Sequence, residues 1–261
     1  MEYQTLLVEE RERIFIVTLN RPEVRNALST QMWEDLKNAT LYFEKNPNLR
    51  VMILTNTGNC FCAGSDLKET SKGIQHPPVG YEESGFAFLT GHFCPKPIIC
   101  AVNGKAFGGG AEILLASDLG VISSDGSISL PEIHVGLLAA GGGGLLKLGR
   151  SIPLKFAAEL VMTGDPIDAQ TALTWGLVNR VVEPEQLLDT AIDLAKRIMK
   201  NSPAAVSRSK FLLYDCMDKS FMNLSDGWRM MVESDWAIKK SPEGIEGQAA
   251  FNEKRNPSWM D

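Results

Sequence analysis

The sequence predicts an α/β protein: a spiral of repeated strand–strand–helix units followed by a helical C-terminal part. Three observations predict it. Short, almost wholly apolar runs, "VMILT" at 51–55 and "PIICAV" at 97–102, read as strands buried on both faces. Each leads through a glycine-bearing loop towards a helix, and the plan recurs at about 40–50 residues, the mark of stacked units rather than a plain open sheet. After about residue 150 the pattern changes to successive amphipathic helices.

The elements follow in order. "YQTLLVE" and "IFIVTL" alternate in polarity around the polar "RER", which predicts a β-hairpin. "NRPEVRNAL" is a loop, because Pro22 opposes helix and Asn20 favours a turn. Ser29 is placed to cap a helix whose apolar residues Met32, Trp33, Leu36, Ala39 and Phe43 recur at helical spacing up to Asn46-Pro47. "NTGNCFCAGS" reads as a loop, "GIQHPPVGY" as an insertion, and about 82–93 as a helix. "NGKAFGGG" reads as a loop before another helix, and "DLGVIS" and "SISL" flank the turn "SSDGS". Beyond 150, "SIPLKFAAELVMTG", "DAQTALTWG", "EQLLDTAIDLAKRIMKN", "PAAVSRSKFLLYDCM" and "FMNLSDGWRMMVESDWAIKK" are helical. In the last segment Ser241 is an N-cap and Pro242 takes the first helical position.

Composition narrows the function. The net charge is -6 and no Lys/Arg run exceeds two residues, which opposes a nucleic-acid or anionic-membrane partner. The start lacks a signal peptide, and no apolar stretch approaches the length of a spanning helix. Five cysteines (60, 62, 94, 100 and 216) without C-x-x-C spacing read as reduced thiols, pointing to a cytoplasmic protein, with an organelle matrix as the other setting. Three scattered histidines, His76, His92 and His134, have no nearby Cys pair, so no metal is expected.

The glycines carry the chemistry. "GKAFGGG" does not close with G-K-[ST], "GGGAEI" has Ile113 where a dinucleotide loop needs its third glycine, and "AAGGGGLLKLG" has no strand before it. Two readings remain for 108–110. One is close packing of backbone on backbone. The other is an anion site, where a bare N–H at a helix start meets a ligand oxygen without a Cβ in the way. A second glycine-led junction, "CAGSDLKE", could supply a second donor; its plainer reading is a cap made by Ser65 with Asp66 and Glu69.

"FCAGSDLKE", "KPIICAVNGKAFGGGAEILLASD" and "LPEIHVGL", in this order and spacing, resemble the successive signatures of the crotonase superfamily, the enoyl-CoA hydratase/isomerase family. The resemblance runs the whole length, through "MTGDPIDAQTALTWGLVNRVV" to "EGIEGQAAFNEKRNPSW". It implies a ββα-spiral catalytic domain over about 1–200 and a helical oligomerisation domain over about 201–261. The assembly implied is a homotrimer or a dimer of trimers, without metal or redox cofactor.

By the same resemblance, Ser65 and Gly109 are the backbone donors of an oxyanion hole for a thioester enolate. Glu112 and Glu132 are the two catalytic glutamates, their acid and base roles left open. Arg25, Ala27, Leu28, Ala63, Asp66, Leu67 and Lys68 match coenzyme A contacts, and Phe251 and Lys254 match residues that reach nucleotide on a neighbouring subunit. The activity implied is a lyase of fatty acid metabolism, adding water syn to a 2-enoyl-CoA. Enoyl-CoA isomerisation and thioester hydrolysis are the rivals within the superfamily, and an RNA-binding or scaffolding relative is the rival outside enzymology. "LLAAGGGGLLKLG" lacks the family's usual proline and hydroxyl near the acyl group, while "GFAFLTG" and the closing segment resemble the branch containing carnitinyl-CoA dehydratase.

Overall fold

The computed structural model describes residues 3–74, 85–216 and 225–259. Strands β1 (Leu6–Arg11) and β2 (Ile14–Leu19) form the expected antiparallel hairpin, turning at Glu12 and Arg13. β2 then pairs in parallel with β3 (Val51–Asn56), and the ladder continues through β5 (Ile98–Val102), β7 (Leu119–Ser123) and β10 (Arg180–Val182). A smaller sheet contains β4 (Cys60–Cys62), β6 (Lys105–Phe107), β8 (Ser127–Ser129) and β9 (Ile167–Asp168).

Consecutive strands alternate between the sheets. β3 is followed by β4, β5 by β6 and β7 by β8, so the chain climbs from the large sheet to the small one in each repeat. Helices α2 (Leu67–Thr70), α3 (Gly109–Ala116) and α4 (Gly144–Ser151) come after these pairs. The segments 56–65 and 103–110, expected to be loops, therefore contain β4 and β6. Three residues are too few to show a period.

The inner strands of the large sheet, β2, β3, β5 and β7, are buried on both faces, and the period-2 geometry of a strand divides their side chains between two cores. Ile14, Ile16, Val51, Ile53, Ile99, Ala101 and Val121 face α7 (Leu187–Met199), which returns Leu187, Ala191, Ile192 and Ala195. The intervening Phe15, Val17, Met52, Leu54, Cys100 and Ile122 point into the main core with Trp33, Phe43 and Phe61. Helix α1 (Thr30–Lys45) supplies Trp33 and Phe43, and Ser29 caps it by accepting from the Met32 N–H at 3.2 Å.

The expected helix at 82–93 is not what the described part of it, from 85, forms. Residues 86–91 are turns, with Ala87 and Phe88 in the left-handed region at φ 57° and 63°. Phe86, Ala87, Phe88 and Leu89 are all buried. The left-handed turn at Ala87 and Phe88 carries all four side chains inward.

Helices α5 (Leu154–Thr163), α6 (Ala169–Trp175), α8 (Pro203–Cys216), α9 (Ser225–Lys240) and α10 (Pro242–Glu253) complete the chain. Ser241 caps α10 as expected, accepting from the Gly244 N–H. Among the described residues no helix is long and apolar enough to cross a membrane. Asp118 fastens α8 to the large sheet: its carboxylate accepts from the Ile98 N–H at 2.7 Å, the Lys210 ammonium at 2.7 Å and the Tyr214 hydroxyl at 2.9 Å. Lys210→Met strands a nearly buried carboxylate and is expected to cost about 3 kcal/mol. The denaturant midpoint measures this; an unchanged midpoint would show that solvent replaces the ammonium.

Candidate active site

The small sheet builds the site. β4, β6 and β8 run parallel, with Cys62 beside Ala106 and Phe107 beside Ser129, so their C-terminal ends leave the sheet together. Gly64-Ser65, Gly108-Gly109 and Pro131-Glu132 therefore emerge as neighbours. Gly64 takes φ +94°, and a β-carbon there would lie 3.2 Å from the Gly109 nitrogen and 3.4 Å from the Phe107 oxygen. Only glycine lets the two junctions meet.

The close-packing reading of the triple glycine is seen at Gly110 and at Gly109. A β-carbon on Gly110 would overlap the Cys62 carbonyl, so that glycine serves packing. Gly109 opens helix α3, and a β-carbon there would overlap the Phe86 ring, which covers this face. Among the described residues no acceptor is bonded to the N–H of Ser65 or of Gly109. Ser65 does not cap a helix: Asp66 does, accepting from the Lys68 N–H at 3.2 Å, while Glu69 accepts from the backbone N–H and hydroxyl of Thr30.

Glu112 lies in the first turn of α3, only 2% exposed. A buried carboxylate needs partners. Two backbone donors supply them: Gly142 N–H to Oε2 and Gly144 N–H to Oε1, each at 2.9 Å. The glycine run that fits no phosphate-loop pattern is thus a cradle for the protein's own carboxylate. A β-carbon at Gly142 would lie 2.6 Å from Oε2, so the close approach requires glycine. These donors escaped sequence reasoning because the run was tested only against external anions.

Glu132 sits on a 3-10 turn, Pro131–Val135, that Pro131 begins. Its Oε1 lies 3.1 Å from the β-carbon position at Gly108, and its buried Oε2 has no hydrogen-bond partner among the described residues. Burial pushes both glutamates above the ordinary carboxylate range. The two N–H donors oppose the shift at Glu112, while at Glu132 its own backbone N–H opposes the rise and the Glu112 charge adds to it.

The loop residues expected to meet coenzyme A are stitched into one ledge. Ala63 N–H donates to Arg25 O at 3.1 Å, Leu28 N–H to Gly64 O at 2.8 Å and Asp66 N–H to Leu28 O at 3.0 Å. Arg25, Ala63, Leu67 and Lys68 are exposed, and Ala27 is half-buried. Leu28 is buried and offers only backbone, and the Asp66 carboxylate is paired with Arg21 at 3.2 Å. Phe251 and Lys254 stand apart at the end of α10, exposed.

The remaining candidates are structural. His134 bonds Thr163 O at 2.7 Å and His92 bonds Glu44 at 2.7 Å; His76 lies outside the described residues. All five cysteines are free, and burial pushes the Cys62 thiol up to about 12. Among the described residues no cluster of His, Cys, Asp and Glu could hold a metal.

The two-sheet ββα spiral with C-terminal helices is the crotonase fold. The chain belongs to the enoyl-CoA hydratase/isomerase family, whose model matches residues 9–261. It is 37% identical to a carnitinyl-CoA dehydratase of Salmonella arizonae and 36% identical to one of Proteus mirabilis, each match covering 98% of both chains. Among solved structures it resembles an enoyl-CoA hydratase from Mycobacterium tuberculosis (TM-score 0.88) and one from Mycobacterium marinum (TM-score 0.90). Both are 38% identical and cover 98% of each chain.

The asymmetry between the glutamates predicts opposite stability effects. Glu112→Gln turns an amide NH2 towards one of two N–H donors and should cost about 1–3 kcal/mol. Glu132→Gln should stabilise. Its native pKa is raised, so the wild type is unpenalised below the unfolded value and loses stability as pH rises through the native one. The melting-temperature gain of Glu132→Gln is expected to be near zero around pH 4 and about 1–3 °C at pH 8. A gain that shrinks as pH rises would reverse the assignment.

Proposed function

We propose that the protein is a hydro-lyase that adds water syn to a 2-enoyl-CoA, giving a 3-hydroxyacyl-CoA, and catalyses the reverse dehydration. The observation that carries this reading is the pair of unequally solvated glutamates beside two unbonded backbone N–H groups. Family membership supplies the thioester; the site supports the chemistry.

In the hydration direction the Ser65 and Gly109 N–H groups receive the thioester oxygen as it becomes an enolate. Each preorganised donor is worth about 3–4 kcal/mol at the transition state. The singly protonated pair keeps its proton on Glu132, because the Glu112 anion holds two N–H donors and Glu132 Oε2 holds none. Glu112 then accepts a proton from water as the water oxygen bonds to C3, and Glu132 delivers its proton to C2. Atoms balance: one water is added, and the pair ends with its proton moved from Glu132 to Glu112.

The second reading keeps this chemistry and changes the acyl group. Relatives named carnitinyl-CoA dehydratase, at 36–38% identity, favour a 3-hydroxyacyl group bearing a trimethylammonium. The ledge at 25–28 and 63–68 receives the coenzyme A moiety in either case.

Assembly belongs to the same proposal. The chain divides into a spiral domain over about 1–200 and a helical domain over about 201–261, whose apolar side chains Leu213, Trp228, Trp236 and Phe251 are exposed. Phe251 is 84% exposed, and in this reading a neighbouring copy covers it. Removing residues after about 235 is expected to yield smaller species and weaker acyl-CoA binding together. Sedimentation as the full-length species with unaltered affinity would refute the role of the tail.

The kinetic test follows the loss of enone absorbance with a straight-chain 2-enoyl-CoA. Glu112→Gln and Glu132→Gln are each expected to lower kcat by about 10²–10⁴. The wild-type pH profile should be bell-shaped, falling on the acid side as Glu112 protonates and on the alkaline side as Glu132 ionises, with apparent values belonging to the pair. Turnover near wild type in either variant removes that residue from the mechanism.

A further inference from the structure

A donor made of main chain is only as well placed as the backbone that carries it. Gly108, Gly109 and Gly110 follow one another without a β-carbon, which gives this stretch unusual freedom to move. Two of the three are fixed by other backbone. Gly108 N–H donates to Ser129 O at 2.9 Å, and the Gly108 carbonyl accepts from the Glu112 N–H at 3.0 Å. Gly110 rests on the Cys62 carbonyl of β4. Gly109, between them, rests on a side chain. A β-carbon there would meet three atoms of the Phe86 ring, with Cδ1 at 2.8 Å, Cζ at 2.5 Å and Cε1 nearer still.

The ring stands at the mouth of α3. In an α-helix the N–H groups and the Cα–Cβ bonds both incline towards the N-terminus. At the first residue of α3 the β-carbon position and the unbonded N–H therefore share one end of the helix. Phe86 is 3% exposed, so it brings apolar surface rather than water to that side of the donor, where a hydrogen bond is stronger.

The chain accepts strain to place this ring. Gly85 takes φ +65°, and a β-carbon on it would lie 2.6 Å from the Gly91 nitrogen. Ala87 and Phe88 follow at φ 57° and 63°, a region that residues with a side chain rarely enter. Such strain persists only where the surroundings over-determine it, and it clusters at functional sites. Here the Thr90 N–H donates to Phe86 O at 3.2 Å, and the Trp33 indole N–H donates to Gly85 O at 3.4 Å. Phe88 packs edge-on to Trp33 and stacks on His92, which is bonded to Glu44. Trp33 and Glu44 both belong to α1, so the turn is anchored to a helix that carries none of the glutamates or donors.

We propose that Phe86 is a positioning residue for the Gly109 donor: its ring takes the place of the β-carbon that Gly109 lacks and holds the N–H in the direction the thioester oxygen needs. The inference rests on the oxyanion hole of the hydro-lyase reading and adds to it a residue that acts through Gly109 alone.

The test reads the donor before the chemistry. A saturated acyl-CoA, isotopically labelled at the thioester carbon, is bound to the full-length protein, and the shift of its carbonyl stretch to lower frequency is recorded. Phe86→Leu deletes Cε1 and Cζ and keeps most of the core volume. It should lose most of that shift while the dissociation constant changes by less than about threefold. Its kcat for a straight-chain 2-enoyl-CoA, counted per thioester-binding site, should fall about 10–100-fold, as expected of a donor displaced by up to an ångström. A lower melting temperature with the shift and kcat of the wild type would show that the ring only packs the core, and overturns the proposal. A second pair of variants probes the contact itself. Gly109→Ala alone sets a methyl group against the ring and should lower kcat. In Phe86→Ala/Gly109→Ala that methyl group occupies the vacated place, so kcat should exceed that of Gly109→Ala by about tenfold or more. Losses that multiply, as for independent sites, overturn the proposal. So does a wild type that binds the thioester without a carbonyl shift, since Gly109 is then no donor. A shift that depends on Phe86 without any hydration upholds the positioning role and retires the hydro-lyase reading.

Discussion

The Glu112 carboxylate in its cradle is the contact on which the rest of the site depends. A carboxylate buried at a helix start is expensive in isolation, and the N-terminus of α3 offsets only part of that cost. Gly142 and Gly144 supply the remainder with two short N–H bonds, and in doing so they set the path of the chain from the 3-10 turn into α4. The start of α4 is thereby docked on the start of α3. Everything further along α4 inherits its position from this one contact. The Glu132 Oε2 has no partner among the described residues, so two side chains of one chemical type, well apart in the chain, meet at one site with unequal hydrogen bonding.

The division into two sheets serves this arrangement. The large sheet carries the apolar area: its inner strands bury both faces, one against α7 and one against the main core. Its loops need no chemistry. The small sheet has strands of three residues and little area of its own, and its work is alignment. Because β4, β6 and β8 are parallel and side by side, the residues that follow each strand arrive at one place however far apart they stand in the chain. The close approach of Gly64 to Gly109 shows how tight that alignment is.

Much of this was legible in the sequence, and the failures have physical causes. β3 and β5 announced themselves because strands buried on both faces leave unbroken apolar runs. Ser29 and Ser241 announced their helices because capping is a local hydrogen bond. β4 and β6 were hidden in loops because three residues cannot display a period. The segment at about 82–93 was read as helix, yet from 86 to 91 the chain turns, with Ala87 and Phe88 left-handed, a conformation that no apolar pattern announces. The two glycine-led junctions were visible in the residues themselves, but the glutamate pair and the assignment of Ser65 and Gly109 came from resemblance, since no spacing rule joins 65, 109, 112 and 132. The Gly142–Gly144 cradle was missed because its ligand is another part of the same chain, which a search for ligand motifs does not consider.

One consequence concerns how such a site keeps its shape as sequences drift. The donor half of the proposed site is main chain: the N–H groups at 65, 109, 142 and 144 persist whatever side chain stands at 65, and at the other three positions there is none. An alanine scan would therefore pass over half of the machinery, or disturb it only by crowding at the glycines. What reads this half directly is chemistry on the backbone, such as replacing a single amide by an ester, which deletes one hydrogen and leaves the shape alone. Positions that look permissive or merely glycine-rich in a table of side chains are, in this fold, where the polar groups are stored.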